Sequence, residues 1–188
     1  HALYPHETAT RVILQERIRD LLSKENKAEA KLYLDMLQGE DDARTRFFRA
    51  ANLAETDKSI AKDEFLRCAD IAPADVRHLA LANAIICAYE VGDEYTVQQI
   101  LDLPLLPSAK RLMLITHAEL ILAKNPELAR KELAEAQGLS PTPLQVADID
   151  LALAQMDLLS DPENSLKILD KYPPEARKDW SDARILRL

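Results

Sequence analysis

Residues 125–141 read NPELARKELAEAQGLSP, and the spacing within this stretch decides the fold. Ala129, Leu133, Ala136, Leu139 and Pro141 place a small residue, a bulky apolar residue four later, a second small residue, and a proline past the helix end. The stretch DKSIAKDEFLRCADIAP, residues 57–73, repeats the arrangement with Ala61, Phe65, Cys68, Ile71 and Pro73. Weaker copies centre on Ala30 and Leu34, on Val97 and Leu101, and on Ser165 and Leu169. The five small slots, at 30, 61, 97, 129 and 165, recur at a mean of about 34 residues, the period of a two-helix repeat that stacks into a solenoid. The small residue lets two helix backbones cross closely, and the bulky one a turn later fills the space beside it.

Composition supports helix throughout. Ala, Leu and charged residues dominate, and only 3 glycines are present, too few for tight hairpins or phosphate-cradling loops. A length of 188 suits a single domain or one continuous array. The net charge of −8 argues against nucleic acid or an anionic membrane surface as partner. The longest uncharged apolar stretch, His78 to Tyr89, is about half of the ~20 residues that a bilayer span needs. The chain opens HALYPHETAT, with neither an initiator methionine nor a cleavable signal pattern, and reads as a fragment or processed form. A soluble domain is expected, with cytoplasm and periplasm both open.

Helix punctuation is dense. Pro73, Pro126, Pro143, Pro162 and Pro174 suit positions at or near a first turn, and Asn125, Asp161 and Thr142 precede three of them as N-cap acceptors. The predicted helices cover 7–24, 27–38, 41–54, 58–71, 74–91, 94–103, 108–124, 126–137, 143–160, 162–171 and 174–187. Short links make hairpins of 7–38, 41–71, 74–103, 108–137 and 143–171, followed by a terminal helix. The segment 108–124 is apolar on nearly every side and should lie between neighbours. The segment 126–137 is one-sided, exposing Glu127, Arg130, Lys131 and Glu135. In 143–160, Ile149, Ala152, Leu153, Met156 and Leu159 form one apolar stripe, with Leu151, Ala154 and Leu158 on another side.

At residues 61–73 and 129–141 the pattern of small, bulky, small and proline resembles the tetratricopeptide repeat family. The resemblance implies an all-α, right-handed α-solenoid of about five helix–turn–helix repeats plus a C-terminal capping helix, over residues 1–188. It also implies a groove lined by the first helices. The first helices are irregular: their crossing slots read Ile18, Arg49, Ile85, His117 and Leu153, and a one-residue shift would offer Ala50 and Ala118. The chaperone-binding branch grips a C-terminal carboxylate with Lys and Asn. The corresponding positions here, Gln15, Arg19, Phe47, Arg111 and Ile115, lack that pattern.

Little in the chain suggests chemistry. His1, His6, His78 and His117 have neither metal-ligand spacing nor Cys partners, so no metal, cofactor or catalytic residue is expected. His117 and His78 read as partly buried imidazoles bonded to neighbouring helices. Cys68 and Cys87 read as small hydrophobes, a disulfide being the alternative. The expected function is a non-catalytic protein–protein interaction scaffold that binds a peptide or partner helix. The alternative is an assembly or anchoring domain of a larger bacterial envelope or secretion protein, suggested by the apolar chain end.

Charge suggests where a ligand would lie. No Lys or Arg occurs from Glu132 to Leu166, a span with seven acidic residues. Asp150 and Asp157 are seven apart on one helix, with Ala154 keeping the face between them low, and Glu119 and Glu90 are possible continuations. Arg19, Arg46 and Arg49 give the other end the opposite sign, so a partner with a basic segment would be oriented. These carboxylates could equally serve only to keep an Ala-rich helix soluble. Trp180, with Ile185 and Leu186, should cap the last hairpin, and the region near Leu188 is a candidate homodimer contact.

Overall fold

The protein is described by a computed structural model covering residues 5–37, 39, 41–139, 143–158 and 161–172. It is all-helical among these residues, with α1 Pro5–Ser23, α2 Lys27–Met36, α3 Ala43–Leu53, α4 Lys58–Ile71 and α5 Ala74–Glu90. There follow α6 Glu94–Leu101, α7 Pro107–Ile121, α8 Pro126–Gly138, α9 Pro143–Asp157 and α10 Pro162–Leu169. The expected helix at 174–187, with Trp180 and the proposed dimer contact near Leu188, lies outside the described residues.

Local chemistry sets the helix ends. The side chains of Asn26, Asp42, Asp57, Asp93, Asn125 and Asp161 accept from backbone N–H groups in the first turns of α2, α3, α4, α6, α8 and α10. Pro126 and Pro162 open α8 and α10, where a missing N–H leaves no bond unmade. Pro73 instead occupies the N-cap of α5. Pro104 follows the short α6, which stops at Leu101 rather than 103.

The chain forms two compact units that divide between Val91 and Gly92, inside the expected 74–103 hairpin. In the first unit α1 packs on α2, α3 on α4 and α4 on α5, while α3 also meets α1, α2 and α5. In the second, α7 packs on α8, α8 on α9 and α9 on α10.

The repeat slots form the core. Ala30, Ala61, Cys68, Ala129 and Ala136 have no exposed surface, and Phe65, Leu133 and Ser165 are equally enclosed. Val97, Leu34 and Leu101 are buried, while Leu169 is half-buried and Ile71 is exposed at its helix end. Phe47 meets Phe65 edge-on at 5.4 Å between ring centroids, a geometry contributing about 0.5–1.5 kcal/mol beyond burial.

Two of the first-helix crossings, in α3 and α7, use the shifted register. Ala50 and Ala118 are fully enclosed, whereas the Arg49 side chain reaches back to the Leu37 carbonyl at 2.7 Å. A guanidinium cannot enter a close crossing, so the neighbouring alanine takes it. Ile18 and Ile85 are buried in their own slots, while Leu153 is half-buried between the buried Ala152 and Ala154.

Among the described residues, no helix is long and apolar enough to cross a membrane, and no group of three His, Cys, Asp or Glu could hold a metal ion.

Candidate functional site

The first unit contains a cleft of about 160 Å³. Its deep wall is Phe65 and Cys87, both almost fully buried. Half-buried Leu22, Ala51, Ala54 and Ile86 form the sides. The small side chains at the end of α3 create the space: a larger residue at Ala51 or Ala54 would occupy it. First helices α1, α3 and α5 thus supply most of the apolar lining, and the starts of α2 and α4 supply charge.

Two ion pairs stand at the mouth. Lys27 pairs with Glu55, and the Lys58 ammonium lies 2.7 Å from Glu90. Glu25 completes the rim. It is exposed, with φ of 57° in the turn between α1 and α2, a left-handed conformation uncommon outside glycine. The rim therefore has three carboxylates against two ammonium groups. On the wall, the Asn83 side-chain amide donates to the Leu79 carbonyl at 2.8 Å, which leaves its oxygen as an acceptor.

Both thiols are free and buried. Burial pushes each up to about 11, so neither is a nucleophile at neutral pH. The Cys68 thiol also donates to the Ala43 carbonyl at 3.1 Å. The disulfide alternative is not what the structure contains.

The seven residues singled out by charge are dispersed. Only Glu90 lines the cleft. Arg19 is exposed and pairs with Glu16 one turn away. Arg46 bonds Asp41 at 2.6 Å and lies 3.7 Å from Glu64, so its charge is met within the fold. Arg49 holds the end of α2, and Glu119 is half-buried on α7.

Asp150 and Asp157 require a correction. Both face inward, each 5% exposed, and Ala154 between them is buried as well. The open acidic face expected on this helix is an interhelix seam. The Asp157 carboxylate accepts from Arg130 of α8 at 2.7 Å and from Asn164 of α10 at 2.6 Å. Arg130 in particular holds its carboxyl below the usual carboxylate range. Asp150 accepts from the Tyr172 hydroxyl at 2.7 Å and from Lys171 at 3.3 Å. Burial, with Asp150 beside it, pushes the Tyr172 phenol up to about 12. Leu158, expected on an apolar stripe, is exposed instead.

Further polar contacts tie helices together. His117 Nδ1 lies 2.9 Å from both Glu132 oxygens, joining α7 to α8 as a partly buried imidazole should. Three of the chaperone-clamp positions, Gln15, Arg111 and Ile115, are internal as well. Gln15 donates to Asp42 and Thr45 at 3.0 Å, and buried Arg111 donates to the Leu139 carbonyl at 2.7 Å.

The cleft itself was not read from the sequence. Its signal is the AANLAE run at residues 50–55, where small residues persist past the one slot that a helix crossing needs. Compared with known proteins, the chain matches no family model, no curated protein and no solved structure.

Proposed function

We propose that this protein is a non-catalytic protein–protein interaction scaffold. Its hairpins are tetratricopeptide-like repeats of a right-handed α-solenoid, and it binds a peptide or partner helix against their first helices. The observation that carries this reading is the cleft in the first unit, an apolar recess bordered by ion pairs. Apolar recesses with a polar rim are the form that anchor sites for partner side chains take.

Selection of a phage-displayed random-peptide library on the purified protein tests it. Enriched peptides should bind with micromolar or tighter affinity by calorimetry. A selection that enriches nothing over a blank surface removes the scaffold reading.

A second reading is an assembly or anchoring domain of a larger bacterial envelope or secretion protein, favoured by one surface feature. Leu32 and Met36, four apart on α2, are 65% and 69% exposed and present an apolar face of the kind that packs against a sibling domain. In a larger protein of that kind, Leu32→Glu with Met36→Lys should break a stable complex seen by sedimentation, with peptide binding unchanged.

A further inference from the structure

We infer that the cleft of the first unit receives a single apolar side chain from a peptide segment of another protein, with a Lys or Arg next to that anchor facing Glu25. The inference rests on the scaffold reading and names the chemistry of its ligand.

Size comes first. A recess of about 160 Å³ accommodates one branched or ring-shaped group, on the scale of a cavity that takes up benzene, and not the face of a helix. Leu22, Ala51, Ala54 and Ile86 offer hydrocarbon on several sides, so a Leu, Met or Phe side chain gains burial there.

Charge selects what stands beside the anchor. Lys27 and Lys58 are each already matched, by Glu55 and Glu90, so the rim makes little demand for an added anion. Glu25 is the third carboxylate, and the Asn83 oxygen is a further acceptor on the wall. An acceptor-rich mouth with an odd carboxylate favours a donor of positive charge. The chain's net charge of −8 acts in the same direction at longer range, steering basic segments toward it.

The test uses a synthetic array of Gly/Ser/Ala peptides, each with one anchor (Leu, Met, Phe or Asp) and a neighbouring Lys, Arg or Glu. Peptides with an apolar anchor beside Lys or Arg should bind the wild-type protein, and the Asp-anchored set should not. Ala51→Leu, which fills the recess, should weaken binding about tenfold or more while thermal unfolding stays cooperative. Glu25→Lys should shift the preference toward Glu-flanked peptides. Methyl NMR of the wild-type protein gives an independent readout, with shifts expected at Leu22, Ala51, Ala54 and Ile86 on peptide addition.

Binding indifferent to Ala51→Leu, equal binding of Glu-flanked peptides, or methyl shifts confined elsewhere each overturns the inference. So does concentration-dependent self-association abolished by Ala51→Leu, which would make a second copy the occupant. If library selection yields binders but the array yields none, the inference fails and the scaffold reading stands. If neither yields binders, both fail.

Discussion

The two units place the same side-chain chemistry in opposite locations. In the first, Lys–Glu pairs stand at the mouth of a cleft, with Glu55 and Glu90 side chains 66% and 39% exposed. In the second, Asp150 and Asp157 are folded inside, each at 5%, and join α9 to its neighbours. A rim pair is solvated, contributes little to stability and leaves its charges available to a newcomer. A buried carboxylate has exchanged water for donors, so its removal strands them. Acidic residues that look equivalent in the sequence therefore differ in surroundings: Glu55 and Glu90 are paired in water, whereas Asp150 and Asp157 tie helices together.

The harshest way to break this contrast is Asp150→Lys together with Asp157→Lys. Two buried ammonium groups would then face Lys171 and Arg130, where carboxylates now stand. The expected loss is about 3–5 kcal/mol, enough to unfold most of the second unit, as read from far-UV circular dichroism in urea. Retention of the native spectrum would mean that the two positions are open to solvent.

Asp157→Ala is milder. Asn164 loses its acceptor, but Arg130 is half exposed and regains water. The expected loss is roughly 1–3 kcal/mol by chemical denaturation.

Titration sharpens the contrast without large substitutions. Because Asp157 is held below its ordinary value of 3.8, its contribution is present above that pH and is lost as pH falls through the lower folded-state value. Asp157→Asn should flatten this acid limb of the stability curve. Tyr172 works at the other end. Its phenol is raised from 10.0 to about 12, so its contribution is full below pH 10 and is lost between 10 and 12. Tyr172→Phe should remove that alkaline limb, as followed by thermal unfolding at successive pH values.

In the first unit, Lys58→Ala should change stability by less than about 1 kcal/mol, since its partner Glu90 is already in water. A loss as large as that of Asp157→Ala would erase the distinction between rim and seam. The smallest expected effect is on the thiols. The unreduced protein should show both cysteines free by thiol count, and both should react with Ellman's reagent far more slowly folded than in urea.

The sites were less legible than the fold. Ala129, Leu133 and Ala136 announce their own burial through spacing alone, because 3.6 residues per turn brings them to one face wherever the helix goes. The burial of Asp150 carries no such local signature. A period-seven pair of carboxylates reads as a solvated face until Arg130, Asn164 and Tyr172 are placed against it. Ala51 was only partly legible: the AANLAE run has more small residues than one crossing needs, but they become a recess only when Phe65 and Ile86 leave the space beside them unfilled.

Local signals in the chain carry the helical class, the small-residue slots and most helix starts, while α2, α6, α7, α9 and α10 end two or three residues before their expected positions. N-caps, prolines and small-residue spacing act within a few residues, so the linear order contains their physics. Only the tertiary structure decided which charges lie inside and where space remains. The donors that satisfy Asp157 and Asp42 include residues 27 positions away, Arg130 and Gln15. Burial is a property of what packs against a side chain, and packing partners at that separation are fixed by the folded helices together.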